Sequence, residues 1–478
     1  VQTPMSAGVD FSELYKQSNG LCMWSPDGNL LAVAVNHRLV VRDVETLQIL
    51  HLFTCNDTIN HIEWSSDSTY ILCALYKRAE VQVWSVEDAE WTARISEGVA
   101  GLVHARWSPD GRHVLTTADF QLHMTIWSLV RKSMYYVKHP KLQAGGVAFS
   151  PDGKYMAVAT RSDCKDWLNI FFCETWELVQ QFETGTRDLA HISWSPDGRA
   201  ICVRDSCLEY RCILYSPDGR CLGTYQAYDE ALGLKCSAWS PTGQFLALGS
   251  YDQTARVLSS MTWKVLSEYE HSGTIAAKDV VVYKEVCADP SKEGLQDAET
   301  RFVVEPVPVT LPQVRPDPSK PNPKLGVGMV AWSSDSKFLA TRNDNMPTVV
   351  WIWDTATLKL VSALVQQAAV RTFKWDPSAS RLAVCTSNQK AYFWTPQGAS
   401  WVDVPADAFA VRSIAWNPRG GCLVLWSVDR MCCCYMDEVV EAEGEGSDED
   451  SGEGGAGEEA REAEEKRGDG DLRVEGGR

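Results

Sequence analysis

Three observations in the sequence predict an all-β propeller of about nine four-stranded blades. The pentapeptide Trp-Ser-Pro-Asp-Gly stands at Trp24–Gly28 and returns at Trp107–Gly111 and Trp194–Gly198. Degenerate copies follow an aromatic at Trp64, Phe149, Trp239, Trp332, Trp375 and Trp416. Successive gaps between the nine aromatics are 40, 43, 42, 45, 45, 93, 43 and 41 residues. A period of about 40–45 residues is that of a four-stranded blade. Between the markers lie short runs of Val, Leu, Thr and aromatics, such as "HVLTTAD", "HMTIWSL" and "KSMYYVKH" after Trp107. Turn residues break these runs, and no amphipathic helix competes with them.

Each segment then has a reason. Residues 1–20 contain "FSELYKQS" ahead of the first marker. The last unit offers an inner strand near Trp416, then "CLVLWSV" and "MCCCYM", but no good fourth strand. The N-terminal segment is therefore expected to pair with it and close one ring, which removes an exposed edge. Two smaller rings, or seven blades with extra strands, are the alternative arrangements. Residues 21–284 hold six repeats. In each, the aromatic packs between sheets, and where Ser-Pro-Asp-Gly follows it forms a type I turn in which Pro presets φ, Asp caps the backbone and Gly accepts the exit geometry. A buried Trp removes about 150–250 Å² from water, a gross gain of about 4–6 kcal/mol per blade before entropy. "YSPDGR" at Tyr215 comes only 21 residues after Trp194 and follows "CILY", so it reads as the turn between third and fourth strands.

The 93-residue gap contains a Pro-rich insertion at 285–324 with eight prolines. A reduced tenth blade built from "DVVVYKEV" and "RFVVEPVPV" is the alternative, disfavoured because proline demotes a strand. Residues 325–437 hold three more repeats. Residues 438–478 are Glu-, Gly-, Asp- and Ala-rich and are expected to be a disordered tail, since they bury too little to offset ordering entropy. Of the net charge of −18, the 17 acidic and 5 basic residues from Asp437 to Arg478 contribute −12. The tail reads as a solvated segment or as a lure for basic groups. Ser447, followed by "DED", is a phosphoacceptor candidate.

Composition excludes several functions. The folded part is mildly acidic, so no basic footprint for nucleic acid is present. The 16 cysteines contain no C-x-x-C pair and read as small hydrophobes in a reducing compartment. No apolar run approaches a membrane span, and no signal-peptide pattern opens the chain. The first residue is Val1, so a start upstream or processing is expected. The phosphate-loop, nucleophile-elbow and zinc-protease motifs are absent. His61, His104 and His191 each precede a marker by three residues and are expected on separate blades, far apart. Lys77-Arg78 and Arg131-Lys132 read as turn residues. The sequence thus assigns no catalytic, cofactor or metal residue and leaves the partner-binding residues open. Trp91, Trp176, Trp263 and Trp401 lie off the marker positions; an exposed one becomes an interface candidate.

These repeats resemble the WD-repeat family, which implies a WD40-type propeller. At the ends of the units only Trp353-Asp354 gives the signature dipeptide; others end in "WS" (Trp84, Trp127) or "WT" (Trp394). Turn Asp or Asn recurs at Asn36, Asp119, Asp252, Asp344, Asn388 and Asp429. Over residues 11–437, "FSELYK", "RLVVRDVETLQIL", "YKRAEVQVWS", "DCKDW", "CLEYRCILYS" and "LATRNDN" are similar to the family of WD-repeat-containing protein eight. That resemblance implies a non-enzymatic scaffold of cytoplasm and cytoskeleton, at the centrosome and spindle pole. Its implied partner is a coiled-coil centrosomal protein, through which microtubules are anchored for spindle assembly and ciliogenesis. Neither membrane nor nucleic acid is an expected partner, and the oligomeric state is left unassigned. The propeller of eukaryotic initiation factor two A is also similar in its degenerate repeats; that reading predicts ribosome or RNA binding. A propeller hydrolase would instead need convergent carboxylates or a Ser-His pair at the axis.

Overall fold

In the computed structural model the described residues are 8–141, 145–287, 300–317, 319–320 and 322–436. The expected disordered tail, 438–478, lies outside them. Nine sheets follow one another along the chain, at 22–54, 61–96, 104–138, 147–183, 189–225, 234–270, 327–365, 372–403 and 413–436. Within each the strands are ordered as they occur, with the marker aromatic ending the innermost one. The second and third strands are covered on both faces, which is why they read as continuous apolar runs such as "LLAVAV" at Leu30–Val35. The innermost strands alternate instead. In His61–Trp64, Ile62 and Trp64 are buried between blades while His61 and Glu63 are half-buried and face the axis.

Trp side chains connect the sheets into one ring. Seven of the eight marker indoles donate to a main-chain carbonyl in the preceding blade, always that of the residue just before its marker. Trp64 bonds Met23 O at 3.1 Å, Trp107 bonds Glu63 O at 3.0 Å, and Trp194 bonds Ala148 O at 3.2 Å. Trp332, Trp375 and Trp416 bond Ala238 O, Ala331 O and Lys374 O at 3.0, 3.0 and 2.9 Å. Trp239 reaches the Ser193 hydroxyl instead, at 3.1 Å. Trp24 bonds Ala415 O at 3.0 Å, so the first blade rests on the ninth and the alternative of two rings is excluded. The ninth marker, Phe149, has no side-chain N–H. Here the Arg106 guanidinium lies 4.9 Å from the Phe149 ring centroid and donates to Val147 O at 3.4 Å.

The ends close the ring as the missing fourth strand required. Val9–Phe11 pairs antiparallel with Arg430–Met436, Val9 opposite Met436 and Phe11 opposite Cys434. Tyr15–Lys16 continues the pairing, with Tyr15 opposite Met431. Val9 and Phe11 pack on the apolar cluster that contains Phe409, Cys434 and Met436.

The long connection between the sixth and seventh blades does not build a tenth. Val281–Cys287 and Thr300–Glu305 form a hairpin, and Val281–Cys287 pairs in parallel with Lys359–Val365, the outer strand of the seventh blade. That blade therefore has six strands. The residue-285 boundary expected for the insertion falls inside one of them. Phe302 seats the hairpin on Tyr392 and Trp401 of the eighth blade, each at a centroid distance of 5.8 Å. Thr274–Ile275 pairs with Val309–Thr310 beside it. "CILY" at Cys212–Tyr215 is a third strand, and the Tyr215 pentapeptide turns into the fourth, as the spacing indicated.

Deleting residues 1–16 exposes the edge of Arg430–Met436 and uncovers its cluster. The deletion is expected to lower Tm by more than about 5 °C in thermal unfolding of the full chain; an unchanged Tm contradicts closure by these residues.

Candidate functional site

One face of the ring carries the turns between first and second strands. In the first blade, Gly28 N–H donates to Ser25 O at 2.9 Å and Gly28 has φ of +74°, the left-handed geometry glycine accepts freely. The serine, which the sequence reading did not single out, organises this turn. Its buried hydroxyl donates to the Asp27 carboxylate and accepts from Leu30 N–H at 2.9 Å. The same pair recurs as Ser150 with Asp152 and Ser333 with Asp335, both at 2.6 Å. At Asp110 burial opposes ionisation. Contacts from His113 Nδ1 at 2.7 Å, the Ser108 hydroxyl and Arg112 N–H at 2.9 Å outweigh it and hold the pKa at about 2. Neighbouring turns are tied together: the Ser66 hydroxyl donates to Pro109 O at 2.6 Å, and Asn417 Nδ2 to Gly28 O at 2.8 Å.

None of the four off-marker tryptophans is exposed, so none meets the condition for an interface candidate. Trp176 and Trp401 are buried, and Trp91 and Trp263 are half-buried. Trp176 and Trp263 stand just before their fourth strands with φ of 58° and 57°, and pack against His113 and Trp239 at 5.1 and 6.2 Å. Lys77 and Arg78 lie in the short turn Tyr76–Arg78. The histidines need a correction. His61 and His104 are not far apart: their ring centroids are 6.3 Å from each other, because inner strands of adjacent blades converge at the axis. Burial, then the charges of His61 and Arg106, push His104 below the usual imidazole pKa. His191 lies on another blade, against Gly145. Among the described residues no group of three or more His, Cys, Asp or Glu is placed to hold a metal ion.

The opposite face carries the connections between blades and the loops between second and third strands. In the seventh blade Trp353 Nε1 donates to the Thr341 hydroxyl at 2.8 Å, and His271 Nε2 lies 2.7 Å from that hydroxyl. Burial pushes the His271 pKa down to about 4, so the ring is neutral near pH 7. The third blade repeats the pattern with an acid in place of the imidazole. Trp127 Nε1 donates to Thr116 at 2.8 Å and to Glu97 at 3.0 Å, and the Thr116 hydroxyl donates to Glu97.

Glu97 thereby fixes the loop that follows it, and apolar side chains stand out from this loop and its neighbour. Val99 is fully exposed, Phe120 is 93% exposed, and Leu122 is exposed as well. The two loops touch, since the Gly101 backbone packs directly on the Asp119 carboxylate. Phe120 and Gln121 hold φ of 56° and 55°, a strained left-handed pair with no glycine. Down the outer edge of the same blade Tyr136 and Met134 are also exposed, with Tyr136 5.7 Å from the His123 ring. A fixed loop that projects large apolar groups into water is suited to docking another protein. The sequence pattern hid this feature, because isolated apolar residues in loops carry no period.

Nine blades, the Trp353–Thr341–His271 set and its third-blade variant define a WD-repeat β-propeller. The WD domain, G-beta repeat family matches residues 219–259, and the anaphase-promoting complex subunit 4 WD40 domain family matches residues 16–67. WD repeat-containing protein WRAP73 of Mus musculus is 48% identical over 444 residues, covering 90% of this chain and 96% of that protein. The chain belongs to the family of that protein. An uncharacterised WD repeat-containing protein of Schizosaccharomyces pombe (strain 972 / ATCC 24843) is 24% identical over 439 residues, covering 85% of this chain and 88% of its own. The crystal structure of the C-terminal WD40 domain of Sif2 shares the fold at a TM-score of 0.51 and 12% identity, covering 90% of this chain and 99% of that one. WD40 propellers are generally non-enzymatic scaffolds.

The Asp110 carboxylate has a folded pKa below its unfolded value of 3.8. Its stabilisation is therefore complete above about pH 4 and lost as pH falls toward 2. Asp110→Asn is expected to cost about 1 kcal/mol at pH 7, a value discounted because the group is partly exposed. Denaturant titrations should show this gap narrowing from pH 5 to pH 3; a gap independent of pH contradicts the assignment.

Proposed function

We propose that this chain is a non-enzymatic docking scaffold of the centrosome and spindle pole. In this reading it holds a coiled-coil partner that anchors microtubules, and so serves spindle assembly and cilium building. The similarity to the family of WD-repeat-containing protein eight supplies the setting. The observation that carries docking is the exposed group Val99, on the connection between the second and third blades, with Phe120 and Leu122, on a loop of the third. A helix of a coiled coil carries an apolar stripe at every third or fourth residue. Such a stripe is matched in kind by three apolar groups on a stiff support, and a stiff support loses little entropy on binding.

Proximity labelling in dividing cells tests the reading. The wild type is expected to recover pericentriolar coiled-coil proteins. The double variant Val99→Asp/Phe120→Asp is expected to recover them at least fivefold less, with Tm within about 2 °C of wild type because both side chains are exposed. Recovery of ribosomal proteins alone would overturn the centrosomal setting in favour of translation. Undiminished recovery by the double variant would remove the loops from the interface.

A further inference from the structure

A row of positive charges stands near the axis, on the face that carries the connections between blades. Two positions set it: the residue four before each marker, and the second-strand residue opposite the one three before it. In the fifth to ninth blades one of the two is always a cation, namely Arg204, Lys235, Arg342, Arg371 and Arg412. In the first four blades neither is charged. Asn60 and Ala74 stand there in the second, and Val103 and Thr117 in the third.

Contacts join the row. Arg204 Nη1 donates to Leu234 O at 3.3 Å, which brings it beside Lys235. Lys235 Nζ meets one oxygen of the Asp344 carboxylate at 2.5 Å, and Arg342 Nη2 meets the other at 3.0 Å. Arg342 Nη1 in turn donates to Val370 O at 2.6 Å, beside Arg371. Arg371 engages only its Nε, on the Ser387 hydroxyl at 2.9 Å. Arg371 and Arg412 are exposed, and Arg412 has no side-chain partner among the described residues. Asp344 is the one carboxylate among the described residues that pairs with any of the five. Neighbouring acids are engaged elsewhere. Asp188 meets Lys141 and Arg161 at 2.8 and 3.0 Å, and Asp205 accepts the N–H groups of Arg187 and Asp188 at 3.0 and 2.8 Å.

The Lys235 and Arg342 side chains are only 10% and 18% exposed. Charges held back from water are screened weakly and are costly to leave uncompensated, so the row calls for anions from outside. Its spacing says what kind. Inner strands of adjacent blades bring the rings of His61 and His104 to 6.3 Å, and alternate side chains of an extended chain recur about every 6.6–6.8 Å. One cation per blade thus matches one acid at every second residue of an extended peptide. A single-stranded nucleic acid would also need exposed aromatic rings to stack its bases. The Tyr251 ring beside the row is buried, with Lys235 Nζ 4.7 Å from its centroid, and the folded part has no net positive charge.

We infer that this row is a docking site for an extended acidic segment of a partner polypeptide, with Asp or Glu at alternate positions. Each carboxylate meets one cation, and the exposed Arg371 and Arg412 make the first contacts. The inference rests on the reading of the chain as a scaffold. It adds a second recognition point, on blades other than those that carry Val99 and Phe120.

The test titrates the full chain into a fluorescein-labelled twelve-residue peptide of alternating Glu and Ser and follows anisotropy at low salt. Wild type is expected to bind, more weakly as salt rises, and to lose the peptide when Gln replaces each Glu. Arg371→Glu/Arg412→Glu should bind at least tenfold more weakly, with Tm within about 2 °C of wild type because both side chains are exposed. Arg131→Glu/Lys132→Glu makes the same change of net charge on an exposed turn of the third blade and should bind as wild type does. Val99→Asp/Phe120→Asp should also bind undiminished, which separates this row from the centrosomal interface. No binding by wild type, or equal weakening by the two Glu pairs, would overturn the row while leaving the scaffold reading in place. Tighter binding of a twelve-residue oligouridylate than of the peptide would overturn the acidic polypeptide in favour of nucleic acid.

Discussion

The fold depends on one repeated contact, an indole N–H given to a carbonyl of the neighbouring blade. The innermost strand of each sheet is an edge, and an edge strand carries main-chain groups that its own sheet does not use. The indole from the next blade occupies one of them while its rings fill the space between sheets. A single side chain thus supplies both the apolar burial and the polar satisfaction that the junction needs. Where an indole makes it the contact is directional, each donating to the blade before it, and at Phe149 the Arg106 guanidinium of the third blade donates forward to Val147 O instead. Only a closed circuit leaves no blade without a partner, and the bond from Trp24 to Ala415 closes it.

The same contact explains what the sequence made legible. Spacing between aromatics reports the size of a blade, and the small, turn-forming residues after each aromatic report where the chain reverses. Nine markers therefore gave nine blades, and the unpaired last unit pointed to the N-terminal strand. What stayed hidden is what spacing does not encode. The parallel pairing of Val281–Cys287 with Lys359–Val365 joins segments about eighty residues apart, and nothing local in "DVVVYKEV" distinguishes it from a blade of its own. The proximity of His61 and His104 depends on how strongly inner strands converge. The turn serine was visible as a letter in most markers, yet its role as both donor and acceptor shows only when Asp27 and Leu30 meet on the same hydroxyl.

The insertion shows how local the structural requirement is. Ninety-three residues separate Trp239 from Trp332, but the Trp332 indole meets Ala238 O at the same 3.0 Å found between Trp107 and Glu63. The extra chain leaves and re-enters on the loop face and settles on the outer edge of the seventh blade, so the inner junction is unaffected. Edges far from the axis are free to accept added strands, which is also how the N-terminus enters the ninth blade. Variation in this architecture thus collects at loops and outer edges. Val99 and Phe120 stand in those places.

The closing strand meets a stricter demand than any other. Arg430–Met436 pairs on one side with Cys422–Trp426 and on the other with the N-terminal strands, while its two faces meet different blades. Cys432 and Cys434 pack with Phe393, Phe409 and Ile414 toward the eighth blade. Cys433 packs with Cys22, Trp24 and Leu31 toward the first. Three consecutive small hydrophobes let both neighbours approach closely, where branched side chains would hold them apart. Burial pushes the thiols of Cys22 and Cys434 up to about 12, so they stay protonated near neutral pH and pack as apolar groups. The cysteine run beside the N-terminal strands is therefore explained by packing volume.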